Sequence, residues 1–568
     1  MKTFMKKKTQ EGQKDMRRTK ASLATSALIL SLSLVSSAAL ACTSIIVTPG
    51  ASVDGTASVT HTCDSGNSAY ELYKVPAQDW EPGTMIDVNY IPQYTMGYQQ
   101  YENVGGPTGN MIPQVEHTYS YIKSGLFGII NEKQVSIGET TIGGRRELSN
   151  ANGYFDITNL SQLALERGAT AREAIQIMGE LGETYGYKDG GEMLAVADTE
   201  EAWIFEMIGP GPLWTQGDDA PGAFWVAQRI PDGCIGASAN APMIDEIVFN
   251  DTANFLCSPG IMEYAIEQGW YDPASGEAFS WRDHFMNAND PIASGRRVWR
   301  VFTLAAPSLV GEIDEADLPV YVKPDQKLSI DDINAIQRDH YEDTEFDGRY
   351  SLTAGPWNNP RRFRGLGFKV DGVSYSWQRM IAQVQCEYTI TTVSRGWLPD
   401  EIGGMVWYGA GNPDLTCYVP LYACMTELSP SISAVGAGSH QEFTRGSYWW
   451  AINAVSTYAN MKWEPMSADV NEWIAKYEGQ VMETQSAIDS AALSLYEQDP
   501  ALAVEFLTKY CNENVETVRD AWWELLDFLV WKYNMGFVTE NGRVNTVSYP
   551  ESWLRKVIEI DEPDHFKS

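Results

Sequence analysis

Short apolar runs broken by turn residues fill the first half of the chain, and apolar residues at helical spacing fill its C-terminal end. The run at residues 43–47 is continuous enough to be a buried strand. Two turn signals follow, Thr48-Pro49-Gly50-Ala51 and Val53-Asp54-Gly55-Thr56, and residues 57–62 read as the hairpin partner of the first run. Around the end of that partner stand His61, Cys63 and Asp64. Residues 65–115 are rich in Gly, Pro, Tyr and polar groups, which predicts a long surface excursion able to cover a site. Strand, Asn131-Glu132 turn and strand are expected over residues 125–140. Thr170-x-x-Glu173 is a capping-box signature, and it opens a helix with Ala174, Ile177, Met178 and Leu181 on one face.

Residues 193–197 and 202–208 read as a strand pair around Asp198-Thr199-Glu200-Glu201, and residues 224–230 and 235–239 continue the pattern, the last ending at Asn240. Ser329-x-x-Asp332 caps a helix running to about His340, and strand-like runs return at 389–394 and 404–408. From about Ser467 the spacing is helical: Val470, Trp473, Ile474 and Tyr477 share one face, as do Val515, Val518, Trp522, Leu525, Leu526 and Leu529 later on. Hairpin strands separated by helices predict an α+β protein rather than a doubly wound parallel sheet.

Charge and composition narrow the function. The 568 residues carry a formal charge of −34. Residues 1–41 hold eight Lys and Arg against two acidic residues, a net +6, so the remainder carries −40. An acidic body of that size repels nucleic acid and anionic membranes. The basic start, with Lys6, Lys7, Lys8, Lys14, Arg17, Arg18 and Lys20, is followed by an uncharged apolar run from Ala21 to Ala41. Ala39-x-Ala41 fits the small-residue cleavage rule, so residues 1–41 are expected to be a signal peptide and the protein to be exported, secreted or in the cell envelope. No nucleotide-binding glycine motif, repeat or metal-ligand spacing is present, and no cofactor is expected. Of the eight cysteines, seven remain when Cys42 is set aside, so at least one has no partner within the chain.

Cys42 directly follows the cleavage signal. A cut between Ala41 and Cys42 places a thiol and a free α-amine on one residue. These titrate near ~8.5 and ~7.7–8.0, so a proton passes from sulfur to nitrogen at little cost. One residue then serves as nucleophile, general base and general acid. Acyl transfer also needs oxyanion donors, for which Asn131 and Asn240 stand at strand ends, and Arg297 is a candidate cation for the thiolate.

Cys42-Thr-Ser-Ile-Ile-Val, Asp54-Gly55, Asp64-Ser65, Asn131-Glu132-x-x-Val135, Met193–Asp198, Glu201-Ala202-Trp203, Trp225–Arg229, Ile230-Pro231-Asp232 and Arg297-Val298-Trp299 together resemble bacterial dipeptidases of the dipeptidase A type. That family belongs to the N-terminal nucleophile (Ntn) hydrolases and is related to penicillin V acylases and bile salt hydrolases. The resemblance implies a four-layer αββα sandwich and hydrolysis of dipeptides or small peptides through a thioester. It implies Cys42 as nucleophile, Asn240 as an oxyanion-hole side chain and the Asn131 N–H in the same hole. Asp64 would orient the Cys42 amine, and Arg297 would support the site electrostatically. It permits homo-oligomers. The pattern is broken at His61, where the related enzymes carry Arg three residues before the aspartate. There an always-charged guanidinium is replaced by a group titrating near ~6.5.

The expected organisation is a signal peptide at 1–41, a catalytic domain at 42–466 and a helical extension at 467–568 packed on or continuing that domain. Two other readings stand beside the dipeptidase. One is an N-acyl amidase of the penicillin V acylase or bile salt hydrolase type. The other is an envelope binding protein lipidated at Cys42, in which the modification consumes the thiol and blocks the amine.

Overall fold

Ser44–Val47 and Ser58–Thr62 form the hairpin that the apolar runs indicate, with Ile46 opposite Val59 and Val47 opposite Ser58. The structure is a computed structural model describing residues 42–65, 70–91, 105–288, 290–361, 367–440 and 442–561; the expected signal peptide at 1–41 lies outside the described residues. The hairpin sits inside a seven-stranded antiparallel sheet. In spatial order its strands are Tyr321–Val322, Ile235–Ser238, Ser44–Val47, Ser58–Thr62, Tyr388–Val393, Met405–Ala410 and Val419–Tyr422. A second antiparallel sheet of eight strands runs in the order Phe255–Cys257, Phe224–Arg229, Ala202–Ile208, Glu192–Ala197, Ser136–Thr141, Gly128–Asn131, Tyr121–Ser124 and Leu72–Val75.

The central strands of both sheets are buried along their whole length, Ser44–Val47 and Ala202–Ile208 among them. A strand covered on both faces has no solvent side, so its sequence reads as a continuous apolar run rather than an alternation. The sheets share one core: Val47 and Val59 of the first cluster with Ala195 and Ile204 of the second. Contact between them is closest at Gly138, where a Cβ would lie 2.4 Å from the Thr60 carbonyl oxygen and 2.8 Å from Val59 Cγ1. Polar bonds also cross here. The Ser44 hydroxyl donates to the Glu139 carbonyl at 3.1 Å, and the Thr140 and Ser238 hydroxyls lie 2.9 Å apart.

Helices Ile157–Arg167 and Ala171–Tyr185 pack on the eight-stranded sheet. The Thr170 side chain accepts from the Glu173 N–H, while the Glu173 carboxylate reaches the Ala169 N–H rather than closing the box on Thr170. The buried stripe of the second helix is Ala174, Ile175, Met178, Gly179 and Gly182, leaving Ile177 and Leu181 at its margin. Gly179 belongs to the stripe because Trp225 lies against it; a Cβ there would meet the indole at 2.3 Å. Against the seven-stranded sheet pack Tyr448–Ala459, Trp463–Tyr496 and Pro500–Lys532, whose Ile452, Val470 and Trp522 join Tyr388, Val406 and Leu421 in one cluster. The helical part thus begins at Tyr448, ahead of the expected Ser467, and the helix from Trp463 runs across position 466/467. Ala41–Ser568 forms one compact unit.

The excursion expected over 65–115 is in part core structure. Tyr70 and Leu72 are buried, and Leu72–Val75 is the edge strand of the larger sheet. Residues 85–90 and 106–113 pair as a further hairpin. Cys42, Cys234, Cys257, Cys386, Cys417, Cys424 and Cys511 are free thiols. No described helix is long and apolar enough to cross a membrane.

Beside the sheets, His340 is buried between two carboxylates, with Nδ1 2.9 Å from Glu342 and Nε2 3.1 Å from Asp414. Burial alone would lower its pKa, but the hydrogen bonds and charges of Asp414 and Glu342 outweigh it and raise the value to about 9. A histidine raised in the folded state contributes fully below its unfolded pKa and loses that contribution as pH rises through the folded one. Denaturant unfolding between about pH 6.5 and pH 9 should therefore show wild type losing roughly 3 kcal/mol of stability that His340→Gln does not lose. Equal pH profiles would refute this. At the sheet interface, Gly138→Ala should cost about 1–3 kcal/mol in the same measurement, because the Thr60 backbone cannot yield without moving the hairpin.

Candidate active site

Cys42 stands at the head of the first core strand and is fully buried. The hairpin holds its neighbour from both sides: the Thr43 N–H donates to the Thr62 hydroxyl at 2.9 Å, and the Thr62 N–H donates to the Thr43 carbonyl at 3.1 Å. The chain reaches Asp64 two residues after Thr62, and the Asp64 N–H donates to the Cys42 sulfur. Burial first, then the charge of Glu139, pushes the thiol well above its usual range. The cysteine is therefore a neutral thiol here.

Arg297 ties the expected residues together. It lies in the helix Arg296–Ala305 and is fully buried. Its guanidinium donates to the Cys42 carbonyl at 2.8 Å, the Thr43 hydroxyl at 3.0 Å, the Ala239 carbonyl at 2.8 Å, the Asn240 side-chain oxygen at 2.9 Å and the Ala293 carbonyl at 2.9 Å. Asn240 has a left-handed backbone (φ 61°), and its amide nitrogen donates to the Thr141 carbonyl at 2.7 Å. Arg297 thus contacts Cys42 directly, and Asn240 is held to the same guanidinium. Asp64 is buried, and neither of its carboxylate oxygens accepts a hydrogen bond of ordinary geometry. Burial raises its pKa to about 8 against the opposing charges of Arg297 and Arg379.

Asn131 is placed differently. Its N–H donates to the Val135 carbonyl at 3.0 Å, closing the turn between two strands. Its side-chain nitrogen donates to the Leu165 and Gly168 carbonyls, and its oxygen accepts from the Lys133 and Val135 N–H groups. The N–H expected in the oxyanion hole thus makes a turn hydrogen bond here, and the side chain braces strand against helix.

Glu139, which the sequence reading passed over, faces the nucleophile. Burial opposes its ionisation, but interactions with His61, Glu192 and the Cys42 thiol hold its pKa below the usual value. Glu192 is pushed well above the carboxylate range by burial and by the Glu139 charge. The two carboxyls thus oppose one another's ionisation. His61 Nε2 lies 3.4 Å from Glu139, and its ring stands edge-on to Phe127 and Tyr388 at 5.5 Å each. A signal for Glu139 existed: it is a carboxylate inside a run read as a strand, and where such a strand is buried the group requires partners. Arg379 was missed as well, since it sits in no periodic run. Among the described residues, Cys42, His61 and Glu139 bring their ligand atoms within 4.8 Å of one another. Sulfur, imidazole and carboxylate donors suit a zinc ion, and an ion held there would occupy the nucleophile.

A buried thiol, oriented amide and guanidinium groups and unpaired carboxyl chemistry can perform acyl transfer. Residues 41–476 match peptidase family C69, and the chain belongs to that family, a family of hydrolases. A probable dipeptidase of Latilactobacillus sakei is 24% identical over 86% of this chain and 95% of that protein. A probable dipeptidase A of Streptococcus pyogenes is 24% identical over 77% of this chain and 86% of its own length. Dipeptidase A of Lactobacillus helveticus is 24% identical over 68% and 76% respectively.

Arg297→Ala would strand buried acceptors on three segments at once. Unfolding free energy should fall by on the order of 3–5 kcal/mol, and Arg297→Lys should recover only part of it, since an ammonium cannot reproduce the planar fork. A loss under about 1 kcal/mol in Arg297→Ala would contradict this reading of the guanidinium.

Proposed function

We propose that this chain is an exported cysteine dipeptidase, activated when cleavage after Ala41 makes Cys42 the N-terminal residue. The observation that carries the reading is the pairing of a buried thiol with Asp64, a buried carboxyl that no ordinary hydrogen bond satisfies. An α-ammonium released at Cys42 supplies Asp64 with a partner of opposite charge. The match to the family begins at residue 41, and the basic, then apolar, leader with Ala39-x-Ala41 supports the same cut. In the uncut chain the neutral thiol fits a silent precursor.

In the proposed reaction the α-amine takes the thiol proton, and sulfur attacks the peptide carbonyl carbon. The Asn240 side-chain amide, oriented by Arg297, donates to the oxyanion. Collapse breaks the C–N bond, and the α-ammonium returns its proton to the departing amine. The thioester that remains is hydrolysed by water with the same amine as base, which restores the thiol. Asp64 holds the amine throughout. Two antiparallel sheets sharing a core, with helices against each, support the four-layer αββα arrangement of the Ntn hydrolases as the fold behind this chemistry.

Three measurements test the reading together. The mass of the mature protein should begin at an unmodified Cys42; a lipidated residue would end the enzymatic proposal. Hydrolysis of dipeptides should exceed that of N-acyl amino acids and should fall by more than about 10⁴-fold in Cys42→Ala. A protein retaining Ala41 before Cys42 should be equally inactive. Full activity in that extended protein would exclude the α-amine as base.

A further inference from the structure

The site contains a second buried cation for which the reaction above has no use. Arg379 is 6% exposed, and its Nε and Nη2 have no hydrogen-bond partner among the described residues. A buried guanidinium without an acceptor is unfavourable, and such a group persists where a ligand completes it. The Arg379 charge acts on Asp64 and Cys42, so it stands within reach of the reacting centre. Burial, and then repulsion from Arg297, pulls its pKa down to about 9, which an arriving anion would reverse.

Its backbone is firmly held. The buried Tyr341 hydroxyl donates to the Arg379 carbonyl at 2.5 Å. Tyr341 has a left-handed backbone (φ 64°), and its N–H donates to Asp339 at 2.7 Å. Asp339 is gripped in turn by Arg300 at 2.6 and 2.8 Å, and its carbonyl accepts the Ala382 N–H at 3.1 Å. The chain enters this clamp from an exposed hairpin, Gly367–Val370 with Val373–Ser376, and is buried from Arg379 onward through Ala382. Arg379 therefore stands where solvent gives way to the site.

We propose that Arg379 binds the free α-carboxylate of the substrate residue on the leaving side of the scissile bond. Nε and Nη2 share one edge of the guanidinium, and their parallel N–H bonds match the two oxygens of a carboxylate. In a dipeptide that carboxylate lies one residue beyond the scissile bond, within roughly 3.3–3.6 Å of chain length. A longer peptide presents a neutral amide at the same point and leaves the cation unsatisfied. Discrimination by an unpaired buried group is strong, so Arg379 would set the length of substrate accepted.

This rests on the dipeptidase reading, and the test separates the two. The purified mature enzyme is assayed on a dipeptide and on the same dipeptide with a C-terminal carboxamide. Wild type should prefer the free acid, and Arg379→Met should lower its kcat/KM by about 100-fold, mainly through KM. The carboxamide should change less than about 3-fold, and Arg379→Lys should restore part of the loss on the acid alone. An equal loss on both substrates, or none on either, overturns the proposal. If Arg379→Met does not fold, the wild-type preference decides: a ratio of acid to carboxamide near one overturns it. Wild type inactive on both overturns the dipeptidase reading and this inference with it, whereas activity on both alike overturns only this inference.

Discussion

The site depends on burying one guanidinium completely. Arg297 can stay inside only if its donors are met, and the acceptors come from the turn before its helix, the head of the cysteine strand and the end of the Ile235–Ser238 strand. A guanidinium is planar and rigid, so five acceptors on one fork fix one another's positions. The Cys42 carbonyl and the Asn240 side chain are held in mutual register by a third residue rather than by contact between themselves. The left-handed backbone of Asn240 fits this account. Asparagine tolerates that conformation better than most residues, and here the hydrogen bonds at both ends of its amide hold it there.

Charge is divided across the cysteine. The carboxyls of Glu139 and Asp64 both oppose a thiolate, while the charges of Arg297 and Arg379 act on Asp64. Burial and these carboxyls keep the thiol protonated, while the two guanidinium groups favour negative charge on sulfur and on a carbonyl oxygen. This gives His61 a physical setting. Its Nε2 addresses Glu139 at 3.4 Å, so the position where related enzymes carry arginine here bears on the carboxylate that opposes the thiolate. Weakening the Glu139 charge and adding a cation beside sulfur act in the same direction.

Legibility in the sequence followed the degree of covering. Strands buried on both faces, such as those containing Ile46 or Ile204, read correctly because most of their positions are apolar. Leu72–Val75 did not, because a four-residue edge strand between Glu71 and Pro76 carries half the signal. Gly179 and Gly182 were invisible on the buried helix face, since their role is to admit Trp225 and Met207 rather than to contribute apolar surface. The helix at Tyr448 was hidden by an aromatic-rich start without clear period. At the site, Cys42, Asn240 and Arg297 were legible from local context and from resemblance, and they meet. Asn131 was legible as a strand-end residue, and its N–H makes a turn hydrogen bond here. Glu139 and Arg379 needed the third dimension, because a buried charge reveals its meaning through what it faces.

On the proposed reading, processing and electrostatics are one event. Before the cut, Asp64 is a buried carboxyl held near pKa 8 by desolvation, so below that pH it rests protonated and contributes little field. An ammonium placed beside it favours the ionised form and draws that pKa down, as any close opposite charge does. Ionised Asp64 then stabilises the ammonium in return, which raises the basicity of the amine that must accept the thiol proton. That one negative charge is shared between the ammonium and Arg297, and Arg379 keeps no carboxylate of its own. A substrate carboxylate supplies Arg379 with the anion it lacks, so cleavage of the leader would prepare the proton acceptor and the substrate anchor together.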